Sequence, residues 1–121
     1  MRVKKAKVGI KDLKTALNDF VKTGEAIERG EKVKKETGIY FTNFEAFRKG
    51  LTPKRLELLH IIKIKKPSSI NELARAAKRD IKNIAEDVKY LEQIGLIEKE
   101  ENNRKIKPVI SYDKIALEIA V

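Results

Sequence analysis

The chain has 121 residues, with 28 basic against 18 acidic side chains and a formal charge of +10. A chain of this length is one domain with extensions. It removes about two-thirds of its unfolded surface from water and so needs no staple. The absence of cysteine excludes disulfides, thiolate zinc sites and cysteine nucleophiles, and fits a reducing compartment.

No stretch has the length of a membrane span, and Met1-Arg2-Val3-Lys4-Lys5 lacks the apolar run of a signal peptide, so a cytoplasmic location and no membrane partner are expected. The positive excess is spread evenly over residues 1–43 and 44–121, which points to a broad polyanion-facing surface rather than a basic tail. Enrichment in Lys, Glu and Ile with a single Gln is also a thermophile-like composition, so charge alone does not define the partner.

Ala6, Val8 and Ile10 alternate with Lys5 and Lys7, the period of a half-buried strand. The period then changes. Leu13, Ala16, Leu17, Phe20, Val21, Gly24 and Ile27 follow one face of a helix of about four turns ending near Gly30, with Lys14, Lys22, Glu25 and Glu28 opposite. This stripe is too long for a small head alone to cover, so Leu13, Leu17, Phe20, Val21 and Ile27 are the expected dimerisation surface, with an enlarged intramolecular core as the alternative.

Glu31 to Lys35 reads as a charged link and Gly38-Ile39-Tyr40-Phe41-Thr42 as a short strand. Thr42-Asn43-Phe44-Glu45 has capping-box spacing before a short helix closed by Gly50, and Phe41, Phe44 and Phe47 are expected in a core rather than as base-stacking platforms. Thr52 as N-cap with Pro53 in the first helical position predicts a helix to about Lys65. Its Leu56, Leu58, Leu59, Ile61, Ile62 and Ile64 cover most of the circumference, so it is expected to be buried on more than one side.

Ser69-Ile70-Asn71-Glu72 is a capping box: the Ser69 hydroxyl accepts from the Glu72 N–H, and the Glu72 carboxylate is expected to return to the Ser69 N–H. Ile70, Leu73, Ala74 and Ala77 share one face of that helix, with Arg75 and Lys78 toward the other. Asp80 offers a second N-cap. The next helix, residues 81–94, buries Ile84, Val88, Leu91 and Ile94 and leaves Lys82, Asn83, Glu86, Lys89 and Tyr90 off the stripe.

Gly95 suits a left-handed stop, with Leu96 as its hydrophobic contact. Leu96–Glu101 and Arg104–Ile110 read as a hairpin around Asn102-Asn103. Between residues 102 and 107 it carries Arg104, Lys105 and Lys107 and no acid, while the incoming strand carries Glu98, Glu100 and Glu101. Ile115, Leu117, Ile119 and Val121 alternate as a C-terminal strand pairing with the N-terminal strand or a partner chain, with a helix capped by Asp113 as the alternative.

That order of elements predicts an α+β chain: a winged helix-turn-helix head of three helices and a β-hairpin wing in residues 44–121, preceded by a strand-helix-strand extension in residues 1–43. In such a head the helix 81–94 enters a major groove of double-stranded DNA and the wing 102–107 grips backbone. The expected contact set is Arg75, Lys78 and Arg79, then Lys82, Asn83, Glu86, Lys89 and Tyr90, then Asn103, Arg104, Lys105 and Lys107. Glu86 and Asp87 are acidic within the reading helix, and Asp87 is expected to orient neighbouring cations rather than to read bases.

The blocks Leu51-Thr52-Pro53-Lys54-Arg55-Leu56-Glu57-Leu58-Leu59, Ser69-Ile70-Asn71-Glu72-Leu73-Ala74, Arg79-Asp80-Ile81-Lys82-Asn83-Ile84, Asp87-Val88-Lys89-Tyr90-Leu91-Glu92 and Gly95-Leu96-Ile97, in that order, resemble the MarR-like winged-helix transcriptional regulators common in archaea. The likeness spans about Phe41 to Ile119. It implies sequence-specific duplex binding as a homodimer, with Arg79, Lys82, Asn83 and Lys89 in the groove and Arg104 and Lys105 on the wing. Glu86 departs from the basic or polar residue expected there.

No enzyme and no cofactor are expected. His60, the sole histidine, lies with Glu57 and Lys63 along one helix edge without a second ligand, and no phosphate-cradling glycine loop occurs. The competing reading is a protein-interaction or assembly module on the same scaffold, including an antitoxin-like partner protein.

Overall fold

The computed structural model describes residues 4–32 and 38–119, and these form a mixed arrangement of five helices and five strands. In chain order they are β1 (Lys5–Ile10), α1 (Leu13–Glu28), β2 (Ile39–Phe41), α2 (Phe44–Gly50), α3 (Pro53–Lys65), α4 (Ile70–Ala77), α5 (Ile81–Gln93), β3 (Glu98–Asn102), β4 (Lys105–Val109) and β5 (Lys114–Ile119). The expected link at residues 33–35 and Val121 of the C-terminal alternation lie outside the described residues. None of the described helices is long and apolar enough to cross a membrane.

The chain divides into two compact units. One is built on Leu51–Lys114 with Lys4 and Lys5; the other is built on Ala6–Gly50 and the segment from Ile115 onward. The division therefore falls after Gly50 rather than after residue 43, and α2 and β5 group with the N-terminal strands.

In the N-terminal unit, β1, α1 and β2 form a strand-helix-strand crossover, because β1 and β2 are parallel with Val8 opposite Ile39, Gly9 opposite Tyr40 and Ile10 opposite Phe41. β5 is a strand, as the alternation predicts, and completes the sheet in the order β2-β1-β5. Gly9 is required by close approach: a Cβ there would stand 2.8 Å from the Tyr40 ring, whose π system also lies 4.6 Å from the Lys11 ammonium.

Asn43, not Thr42, caps α2, its side-chain oxygen accepting the Ala46 N–H at 2.7 Å. Phe41 is buried and meets the Phe47 ring edge-on, but Phe44 is half exposed rather than in the core, and its ring is tilted 35° against Phe47. α1 begins at the Asp12 cap, which accepts the Thr15 N–H at 2.7 Å, and it buries none of its residues.

In the C-terminal unit, Leu58, Leu59 and Ile62 of α3, Leu73 and Ala74 of α4, Ile84, Val88 and Leu91 of α5, and Leu96 and Ile97 make the core. Pro67 and Pro108 are fully buried beside them. α3 starts where Thr52-Pro53 predicts, with the Arg55 N–H donating to Thr52 Oγ1 at 3.2 Å. It is not buried on several sides, however: Leu56 is 43% and Ile64 65% exposed, because apolar composition supplies the capacity for burial and only one face has a partner among the described residues of its unit.

α5 ends in a Schellman motif. Leu96 N–H reaches the Leu91 carbonyl at 2.8 Å and Gly95 N–H the Glu92 carbonyl at 3.0 Å, with Gly95 at φ 92°. Ile94, expected on the buried stripe, is half-buried at the cap. Beyond the hairpin, the half-buried Tyr112 donates its hydroxyl to the Leu96 carbonyl at 2.8 Å, and Asp113 ties Lys4 and Lys63 to the unit through a 3.0 Å bond from the Lys4 N–H and a 3.2 Å ion pair.

Gly95→Ala is expected to cost about 1 kcal/mol, read as a lower urea midpoint at unchanged slope. Nothing stands within 4 Å of the added Cβ, so the whole cost is the left-handed backbone.

Candidate nucleic-acid interface

α4 closes on Lys78, held at φ 54°, and α5 begins two residues later at the Asp80 cap, whose carboxylate accepts the Lys82 N–H at 2.8 Å. The short turn between them brings the cationic end of α4 beside the first turn of α5. Ser69 caps α4 as its sequence predicts, accepting the Glu72 N–H at 3.1 Å, but the Glu72 carboxylate returns to Ser68 instead of the Ser69 N–H. It accepts from the Ser68 N–H at 3.2 Å and the Ser68 hydroxyl at 2.5 Å, since two donors one residue upstream outweigh one.

Those bonds from Ser68, with smaller contributions from Arg75 and Lys105, hold the Glu72 carboxyl below its ordinary 4.5. The folded state thus favours the ionised form. Its stabilising contribution is complete above about pH 4.5 and is lost as pH falls toward the lower folded value. Glu72→Gln is accordingly expected to lower the urea midpoint at neutral pH, with the difference from the parent protein shrinking on the acid side of 4.5.

A cleft of about 630 Å³ lies between α4, the start of α5 and the hairpin, lined by Ser69, Asn71, Ala74, Arg75, Lys78, Arg79, Ile81 and Lys105. Four of these are cationic and none is acidic. Arg75, Lys78 and Lys105 are exposed there, and Lys82, Asn83, Glu86 and Lys89 are exposed along α5.

The hairpin turn differs by one residue from the predicted tip. Asn102 pairs with Lys105, so Asn103-Arg104 forms the turn, with φ 48° and 67°, a pair of positive values that marks a type I′ connection. Arg104 is therefore at the apex, and Lys107 stands directly opposite Glu100 across the ladder.

Two predicted contact residues are engaged within the unit. Arg79 Nη2 donates to Asp87 Oδ2 at 2.8 Å, and Arg55 Nε donates to Asp87 Oδ1 at 3.0 Å, so one carboxylate bridges two guanidinium groups. Tyr90 is half-buried under the Arg55 guanidinium, which stacks 4.1 Å from its ring centroid. Asp87 orients its neighbours, as its position predicts. Sequence spacing gives no sign of Arg55 in this cluster, because its partner lies 32 residues away.

Among the described residues no group of three or more His, Cys, Asp or Glu is placed to hold a metal ion. What the fold and the cleft define is a mixed α/β protein whose C-terminal unit presents an acid-free cationic hollow beside an exposed helix face. The chain belongs to the HVO_A0114 family, whose model matches residues 50–117, the span that carries this hollow and the hairpin. Comparison with curated proteins gives no match.

Proposed function

We propose that this chain is a sequence-specific double-stranded DNA-binding protein, a transcriptional regulator with a winged helix-turn-helix head similar to that of MarR-like regulators. The observation that carries this reading is the cleft lined by Arg75, Lys78, Arg79 and Lys105 without a carboxylate, at the N-terminal end of a helix whose exposed side presents Lys82, Asn83 and Lys89.

Cations clustered on one surface attract phosphate, and a protruding helix face is the shape that enters a major groove. α4, the turn and α5 are the helix-turn-helix in this reading, and β3-β4 is the wing, with Arg104 at its tip. Lys78, Arg75, Lys105 and Arg104 take backbone phosphates, whereas Asn83, whose amide donates and accepts, reads base edges. Arg79 and Tyr90 act as positioning residues through Asp87 and Arg55. Glu86 is set to accept from a cytosine amino group.

The test is a titration of the full chain against the DNA upstream of its own coding sequence and against a scrambled duplex, at about 50 and 200 mM salt. The expected result is tighter binding to the native sequence, with log K falling with log salt at a slope of about −4 for each chain bound. Absent or salt-insensitive binding to both duplexes rejects the reading. Asn83→Ala should change the ratio of the two affinities; equal losses on both duplexes would remove it from base reading.

A further inference from the structure

Between its Asp12 and Arg29 caps, α1 carries a cation near its start and carboxylates near its end. Its first turn holds Lys14 and no acid, and its last turn ends in Glu25 and Glu28 with no base. Lys14 and Glu28 are exposed and form no ion pair among the described residues, and their spacing of two heptads puts them on the same flank.

Between them runs an uncovered apolar seam. Leu13 is 66%, Leu17 56%, Phe20 77%, Val21 54% and Ile27 61% exposed. Leu13, Leu17, Phe20, Gly24 and Ile27 follow the four-three spacing of a coiled-coil seam. The less exposed side of α1, at Ala16, Asp19 and Ala26, lies about a third of a turn away, so the described residues of its own unit do not cover the seam. The exposed patch is roughly 500 Å² per copy, as large as the largest on ordinary monomers; doubled, it reaches the ~1,000 Å² that a specific interface needs.

We infer that α1 pairs antiparallel with α1 of a second copy of this chain. Antiparallel pairing sets Lys14 of each copy beside Glu28 of the other, and two-fold symmetry repeats the contact. It also aligns Phe20 with Gly24 of the second copy and Leu17 with Ile27, a large side chain meeting an empty one. Gly24 has nothing within 4 Å of its absent Cβ, so no neighbour among the described residues accounts for a glycine in the middle of a helix. This inference does not rest on the DNA reading: it is tested without DNA, and either proposal fails without touching the other.

Sedimentation equilibrium of the full chain at micromolar concentration is expected to give twice the chain mass of 13.9 kDa. Phe20→Asp should yield monomer at unchanged circular dichroism. Lys14→Glu or Glu28→Lys alone should raise the dimer dissociation constant about tenfold, and the two together should return it to within about threefold of the parent. Gly24→Leu lengthens the apolar stripe and removes a helix-weakening glycine, yet should weaken the dimer. A monomeric parent protein, a dimer indifferent to Phe20→Asp, or a double charge swap no better than the single ones would overturn the pairing.

Discussion

Replacing Arg75, Arg104 and Lys105 by glutamine together is expected to weaken binding to native and scrambled duplexes alike, by about a hundredfold at moderate salt, and to flatten the salt slope by about three units. Each of these side chains is exposed: Arg75 and Lys105 line the acid-free cleft and Arg104 is at the hairpin apex. Their loss removes counterion release and leaves the preference between sequences almost unchanged, because phosphate contacts carry no base information. None of the three is in the hydrophobic core, so the urea midpoint should stay close to that of the parent. A triple variant that kept the parental salt slope would show that the cleft does not face phosphate. One that lost only the native site would move these residues from positioning to reading.

Local chemistry is what the sequence expresses most clearly. Thr52, Ser69 and Asp80 cap the helices they precede, and Gly95 stops α5, because a cap needs only a side-chain oxygen or a missing Cβ and the next few backbone groups. Where two local solutions compete, tertiary pairing decides. Asn102-Asn103 and Asn103-Arg104 are both able to turn a hairpin, and the ladder register selects the second by placing Asn102 opposite Lys105. Apolar pattern likewise announces surface that is able to be buried without naming what buries it. α3 uses only part of its apolar surface inside its unit, and α1 uses none of its large side chains.

The candidate site was legible to different depths for the same reason. The exposed cations of α4, α5 and the β3-β4 hairpin are visible as charge on an amphipathic pattern, so Lys78, Lys82, Lys89 and Lys105 stand where the period puts them. Arg79 and Tyr90 look equivalent in sequence, but their partners belong to other elements. A guanidinium that finds a carboxylate at 2.8 Å, or an aromatic ring beneath Arg55, is fixed by packing that no short-range spacing encodes.

Asp87→Ala is expected to destabilise the C-terminal unit by about 2–3 kcal/mol, the largest stability effect among the polar residues of the candidate site. The carboxylate is 13% exposed and its two guanidinium partners 21% and 23%, so removing it takes away the one anion that bridges these two half-buried positive groups. Partial access to water keeps the cost below that of a fully buried pair. The sign reverses when the charges are removed together. Arg55→Met, Arg79→Met and Asp87→Leu combined should recover most of the lost stability, since desolvating three charges offsets much of what their pairing returns. That triple variant should still bind duplex less tightly than the parent protein, because Tyr90 loses its cation and the start of α5 loses the strut between Arg79 and Asp87. Urea denaturation of the single and triple variants, set beside duplex titration of both, separates the two contributions. An Asp87→Ala protein as stable as the parent would mean that water, rather than Asp87, neutralises Arg55 and Arg79, and the network would then have no part in holding α5 against its neighbours.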